Sequence, residues 1–550
     1  MTKNIKNIAR IILFIYIFYY PKLEAEELDF GAVKSATSRF FSNEYISILN
    51  KKGNQLLDEL PVMQTCVISK NGFFKIHFDT AGVHAVENID LNFNGIPDYI
   101  DNVSEIFDYV YDKEINSMQF NPPRTNAFEN DGYYNIYVKD QVHDQQAYGY
   151  TTPVRSYKNK CPFIKWYSFI TIDNDYSELD SILVKGKKVQ LYSTKGIEAL
   201  KVTAAHEFFH AVQYAYADDL YNGMSTPSVY EMASVCMEML IYPELNDYIV
   251  YVNQLLTDLS KYPLSDVNPE TGYRYGIFFY MLCEKYGASF LKEYWETVET
   301  GLVCFKALEE LLGSKNSSLK NEWIEFINWI YHTGKNTIPN QYFFFADKCK
   351  DIVPVKSEIF NKKTVISDYF MPYELVFIRV FFNSPEKTKT DDTADFFITN
   401  FDTEELAKQT YRQQQYSLFI NNNDEDNAVK IYDTLFARIY SMNEYLGYSY
   451  FFRAGSKVNI VDNAYPQPFN KEYHQYIYFP APEYINIGSK VNLTIFTTDM
   501  KEIVYQQKNV IVDNENKVIE FFANGLADGI YIYRIDVYGT TEKIGKFIVK

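Results

Sequence analysis

From Ile197 to Val212 the apolar residues Ile197, Leu200, Val202, Ala205, Phe209 and Val212 recur at spacings of two to four, and no proline interrupts the run before Leu220. That is the period of a helix with its apolar side against a core. Further runs from Val229 to Glu238 and from Ile277 to Tyr286 extend a mostly helical region to about Gly334. Upstream the period is two: Phe73 to Phe78, Tyr134 to Val138 and Ser168 to Asp173 read as strands. Strands first and helices after predict an α+β domain over residues 73–335. Alternation returns at Leu375 to Phe382 and Phe396 to Asn400, which predicts a β-rich domain over 336–455. It recurs around Tyr476 to Phe479, Val491 to Phe496 and Gly529 to Ile535, divided by Asn, Asp and Gly turns, which predicts a small antiparallel Ig-like β-sandwich over 456–550. The expected fold is therefore an α+β domain followed by two domains of β-sandwich type.

At the N-terminal end Lys3, Lys6 and Arg10 precede the apolar run Ile11 to Tyr20, and Leu23-Glu24-Ala25 offers a small residue for cleavage. Residues 1–25 are expected to be a signal peptide, and the run is too short to span a bilayer. The protein is thus expected to be exported, secreted or at the cell surface, and not membrane-spanning once the signal is removed. Residues 26–72 show no clear period and read either as a propeptide or as the first layer of the domain that follows.

Composition narrows this picture. A chain of 550 residues with 47% hydrophobic and 17% aromatic content can fill several cores, so extensive disorder is excluded. A formal charge of −18 argues against nucleic acid as a partner and suits cations held in carboxylate-lined clefts. Six cysteines at positions 66, 161, 236, 283, 304 and 349 are scattered, and nothing in their spacing selects a pairing. Cys66, in the N-terminal segment, is a candidate to block a metal site as a thiolate.

The chemistry lies in Ala205-His206-Glu207-Phe208-Phe209-His210-Ala211. Two histidines four apart on a helix differ by only about 40° in direction, so both imidazoles reach one ion about 2 Å away. Glu207 falls off that line and suits the role of proton acceptor for a metal-activated water. Zn2+ in a hydrolytic site needs a third protein ligand and an open position. Glu231, on the next helical run, is the candidate third ligand, with the polar loop Asp218 to Pro227 turning that run back on the first. Glu238, two turns further along, either orients a histidine or ligates in place of Glu231. Within Gly272-Tyr273-Arg274-Tyr275-Gly276, placed just before the helix from Ile277, either Tyr275 or Tyr273 is the candidate donor to a developing oxyanion.

A second constellation runs from Asp90 to Asp101. Asp90, Asn92, Asn94, Asp98 and Asp101 occupy loop positions one, three, five, nine and twelve, Gly95 falls at six, and Ile96 at seven would offer its carbonyl. A helix from Asn102 to Ile115 would complete half an EF-hand or a dockerin-like loop, which predicts Ca2+ as a second cation, bound at the affinity of extracellular modules.

The run Lys201 to Tyr214, with Tyr230-Glu231-Met232-Ala233-Ser234 and Asn246-Asp247-Tyr248, resembles the MXAN_6640-type metalloproteases of bacterial surfaces, which belong with the gluzincins. Phe74-Lys75-Ile76-His77-Phe78, Asn94-Gly95-Ile96-Pro97-Asp98-Tyr99, Tyr148-Gly149-Tyr150-Thr151 and Ile172-Asp173-Asn174-Asp175-Tyr176 are similar to the same family, so the likeness spans about Phe73 to Gly287. It implies a zincin-like catalytic domain, zinc held by two histidines and a downstream glutamate, and a protein or peptide as substrate. The chain departs from the family at Val229 and Cys236, where members usually carry tryptophan. At the other end, Ala464-Tyr465-Pro466-Gln467-Pro468-Phe469-Asn470 and the closing Gly545-Lys546-Phe547 resemble the sorting domain of type IX secretion cargo, with Gln467 in place of the usual asparagine. This implies the secretion machinery as a partner. The reading is a zinc metalloendopeptidase. The alternative is a surface adhesion or glycan-binding protein with a structural or inactive zincin domain, favoured by the β-rich C-terminal half.

Overall fold

The computed structural model describes residues 33–37, 60–125, 131–157, 165–184, 186–216, 227–266, 268–339, 341–360 and 363–382, and shorter stretches between 392 and 550. The expected signal peptide and all of the Asp218 to Pro227 turn except Pro227 lie outside the described residues.

The molecule is a mixed α/β protein. Its first unit is a six-stranded sheet of β1 (Val33–Ser35), β2 (Thr65–Ile68), β3 (Phe74–Phe78), β4 (Tyr134–Val138), β5 (Ala147–Tyr157) and β6 (Lys165–Ile172), in the order β1-β5-β6-β4-β3-β2. The three strands legible in the sequence, β3, β4 and β6, run parallel at the centre, while β5 is antiparallel to β6. Both outer strands come from before Phe73, so Val33–Ser35 and Thr65–Ile68 belong to this sheet. Parallel central strands need a crossover, and the first is supplied by α1 (Asp98–Tyr111), which buries Ile100, Val103, Phe107 and Val110. It begins at Asp98, inside the Asp90 to Asp101 loop, and not at Asn102, because the Ile100 and Asp101 amides already bond the Pro97 carbonyl.

Helix α2 (Gly196–Tyr216) is the axis of the domain. Every residue from Val202 to Tyr216 is buried, with β5 and β6 on one side and α1 and α3 (Pro227–Ile241) on others. A helix apolar nearly all round belongs inside, so the polar groups it carries there must be satisfied by other elements. After α4 (Ile249–Thr257) comes α5 (Pro269–Tyr286), which corrects the expected helix start at Ile277. Asn268 caps it by accepting from the Glu270 amide, and Pro269 occupies the first turn, where a missing N–H costs nothing. Gly272 and Gly276 are consequently interior to a helix. A Cβ at Gly272 would lie 2.1 Å from the Ser228 carbonyl oxygen, and one at Gly276 would lie 2.4 Å from Val235 Cγ1. The two glycines let α5 press against α3 nearly backbone to backbone.

Beyond helix Leu319–Tyr331 two four-stranded sheets follow, between Lys356 and Arg453. Packing is continuous across the boundary expected at 335/336: Trp323 donates to Thr399 Oγ1 at 3.1 Å, and Tyr331 donates to Asp395 Oδ2 at 2.9 Å. Tyr373, Phe377 and Phe397 join the same buried cluster as Trp323. The last strands, from Tyr476 onward, form a two-stranded and a four-stranded antiparallel sheet around a separate core that includes Phe479, Ile495, Tyr533 and Phe547. Among the described residues no helix is long and apolar enough to cross a membrane.

Candidate metal centre

Helices α2 and α3 bring three ligand atoms together. His206 Nε2 lies 3.0 Å from Glu231 Oε2, His210 Nε2 lies 3.3 Å from the same oxygen, and the two Nε2 atoms are 3.1 Å apart. Ligands about 2.1 Å from a tetrahedral ion would sit about 3.4 Å from one another, so this triangle is close to the size a zinc ion requires. All three side chains are buried.

The opposite ring nitrogens are held from behind. His206 Nδ1 meets Glu238 Oε1 at 2.6 Å, which gives Glu238 the orienting role and leaves Glu231 as the carboxylate facing both histidines. His210 Nδ1 meets Gln213 Oε1 at 2.8 Å, and Gln213 in turn donates to the Tyr230 carbonyl at 3.0 Å. Gln213 escaped the sequence reading, although a position three residues beyond His210 on the same helical face was the available signal.

The electrostatics favour a cation. Burial alone would lower the His206 pKa, but hydrogen bonds and charge from Glu231 and Glu238 outweigh it and push it up to about 10. Burial would raise the Glu231 carboxyl, yet His210 and His206 hold it below its ordinary value. The carboxyl groups of Glu207, Glu231, Glu238 and Asp247 are buried in this region with the Lys34 ammonium. One oxygen each of Glu207 and Glu231 has no hydrogen-bond partner among the described residues. Buried carboxyls in excess over cations are stable only when paired or ligating, and a divalent ion fits that deficit.

Glu207 faces β5. Its Oε2 accepts from Thr151 Oγ1 and from Thr37 Oγ1, each at 2.8 Å. Gly149 makes this approach feasible, since a Cβ there would lie 2.8 Å from Thr203 Cγ2 and 3.1 Å from Glu207 Cγ. Asp173, at the end of β6, accepts from the amides of Gln141, Asp175 and Tyr176, and Tyr176 donates to the Tyr148 carbonyl at 2.8 Å. The Tyr148 to Thr151 and Ile172 to Tyr176 stretches thus shape the strand beside Glu207.

The structure separates the two candidate tyrosines. Two residues along a helix is a rotation of about 200°, so only one of the pair faces the histidines. Tyr273 does so, with its ring 6.1 Å from that of His206, and its hydroxyl bonds the backbone of Ser35. Tyr275 does not: it donates to the Tyr262 carbonyl at 2.6 Å and packs on Trp323 and Phe326. The oxyanion expectation for Tyr275 is corrected to a packing role. Cys66 is also corrected, because it is exposed on β2, at the sheet edge opposite β1 and β5. Cys236 and Cys283 are buried across the α3–α5 contact as free thiols, their sulfurs hydrogen-bonded at 3.9 Å.

In the Asp90 to Asp101 loop, Gly95 takes φ +85° as its position demands, and the side chains bond one another. Asp90 accepts from the Asn94 and Gly95 amides, and the Asn92 and Asn94 side-chain amides donate to Asp101 Oδ2 at 2.8 and 2.9 Å. Asp98 turns to the Leu91 amide at 3.1 Å, and the Ile96 amide bonds Asn94 Oδ1. A cation here would have to displace two amide donors from Asp101.

Compared with models of known protein families the chain matches none, and compared with curated protein sequences it likewise finds no match.

Proposed function

We propose that this protein is an exported zinc-dependent endopeptidase whose zincin-like domain spans about residues 73–335 and whose C-terminal sandwich serves as its secretion address. The observation that carries this reading is the convergence of His206 Nε2, His210 Nε2 and Glu231 Oε2 on one point, with both Nδ1 atoms already engaged by Glu238 and Gln213. His206, His210 and Glu231 would hold the ion. When bound, zinc supplies Lewis acidity, lowering the pKa of a water in its open position and polarising a carbonyl. The chain's own groups supply the rest. Glu207, whose Oε2 accepts hydrogen bonds from two hydroxyls, is the group to take a proton from water and pass it to a leaving amine. Tyr273, with its ring 6.1 Å from that of His206, carries a hydroxyl that would support an oxyanion once it leaves Ser35. The calcium reading of Asp90 to Asp101 stays a proposal of the same kind, for a stabilising ion away from the reaction.

Zinc content tests the reading. The purified chain should retain about one zinc, as a site with three protein ligands does, and His210→Ala should lose it. A wild-type chain that neither carries zinc nor takes it up after dialysis against a chelator would end the hypothesis. Gln213→Leu should weaken zinc binding by about ten- to a hundredfold, read by competition with a chromophoric chelator, because His210 would lose the acceptor that sets its orientation. Unchanged affinity would mean that the Ser234 hydroxyl, 3.3 Å from the same Nδ1, and packing are enough to hold the ring.

A further inference from the structure

Five residues from the N-terminal segment reach Glu207, Tyr273 and Glu238 of this site. Val33 pairs with Ala147 and Ser35 with Gly149 along the outer edge of β5, and the Ala36 amide donates to the Gly149 carbonyl at 3.0 Å. Thr37 donates its hydroxyl to Glu207, while the Thr151 amide donates to that same hydroxyl at 2.7 Å. The Ser35 carbonyl accepts from Tyr273, and the Ser35 amide donates to it. Lys34 ends between Glu238 Oε2, at 2.7 Å, and Asp247. Asp247 also accepts from the hydroxyls of Ser193 and Thr194. Lys34 to Thr37 are all buried, at most 2% exposed.

The character of these contacts matters as much as their number. The side chains of Val33 to Thr37 are small apart from Lys34, and none is aromatic. The segment is held by main-chain pairing to a sheet edge and by one lysine in an acidic pocket. Those are features that any extended peptide with a suitably placed basic side chain can offer, and adding a strand to a sheet edge is a general mode of peptide recognition. Its hydroxyl at Thr37 also engages one of the two carboxylate oxygens of Glu207, Oε2.

We propose that the cleft bordered by the edge of β5 and by Tyr273 is the substrate-binding cleft, that it selects extended peptides with a basic side chain seated between Glu238 and Asp247, and that Val33–Thr37 fills it as an internal blocking strand. The proposal rests on the peptidase reading for the word substrate, but the cleft itself is testable without catalysis. Of the two readings of residues 26–72, this favours a propeptide function for Val33–Thr37 even though the strand completes the sheet.

The probe is a fluorescently labelled synthetic peptide with the sequence of residues 31–39, used on the full-length chain carrying zinc. Wild type should not bind it, because its own strand is in place. Lys34→Glu sets a carboxylate against Glu238 and Asp247 and should expel that strand. Ala36→Pro removes the amide donated to Gly149 and serves as a second release variant should the first not fold, as judged by circular dichroism and thermal unfolding. A folded release variant should bind the peptide with micromolar affinity, should not bind a peptide with glutamate at the lysine position, and should hydrolyse basic peptides faster than wild type by about tenfold or more, as a larger open fraction requires. Folded variants that ignore the peptide overturn the proposal and leave the zinc reading standing. Peptide binding that does not depend on the lysine overturns the pocket assignment. Lysine-dependent binding with no hydrolysis by a zinc-loaded variant supports the cleft and sinks the peptidase reading instead.

Discussion

Replacing Glu207 by glutamine should lower peptide hydrolysis by about 10²- to 10⁴-fold, the range a positioned proton acceptor supplies, while zinc content stays at the wild-type level. The two readouts separate because Glu207 is not among the three groups that converge: its carboxylate lies toward β5, bonded to Thr151 and Thr37, one residue and about 100° around α2 from His206. A glutamine amide keeps the size and one acceptor oxygen but cannot take up a proton at neutral pH. The comparison is best made in wild type and in Lys34→Glu, so that a closed cleft does not mask the loss. If Glu207→Gln hydrolysed peptides at the rate of its parent, a different group would be the proton acceptor. If it lost zinc, the residue would belong to the ligand set.

The largest structural effect should come from Gly272→Ala. Alanine is ordinarily better than glycine inside a helix by about 1 kcal/mol. Here its methyl would meet the Ser228 carbonyl oxygen at 2.1 Å and Glu231 Cβ at 2.7 Å. The first contact is with backbone, so no rotamer relieves it, and α5 must move away from α3. Overpacking of this kind costs about 1–3 kcal/mol and occasionally more. Because the displaced neighbour is the helix turn that carries Glu231, zinc affinity should fall together with the melting temperature. Gly313→Ala is the control: it too lies in a helix, Cys304–Ser314, but a Cβ there meets nothing within 4 Å, so it should be neutral or slightly stabilising. Equal thermal stability for the two variants would show that the α3–α5 contact is looser than described.

These two positions also show where sequence reading succeeds and where it stops. Glu207 is legible because its chemistry is written locally: two histidines four apart share a helical face whatever surrounds them, and the glutamate between them must sit to one side. Gly272 is misleading because the run Gly-Tyr-Arg-Tyr-Gly reads as lying just before a helix, whereas Asn268 and Pro269 upstream are the true start signals. The reason for glycine at that point is the neighbouring helix, and no local pattern contains it. Tyr273 and Tyr275 were interchangeable for the same reason. Their directions depend on the phase of a helix whose beginning had been misplaced by eight residues, from Pro269 to Ile277.

Local periodicity and spacing by themselves determined the central strands, the buried helix with its histidine pair and the β-rich second half, and left Glu231 and Glu238 as alternatives for the third ligand. Those are properties of residues within a few turns of one another, governed by backbone geometry. What only the tertiary structure decided is which distant groups meet: Glu238 behind His206, Gln213 behind His210, and the lysine of an N-terminal strand between two carboxyls more than two hundred residues away. Such meetings depend on burial, where an unpaired charge is too costly to leave and each polar group must find its partner across the fold.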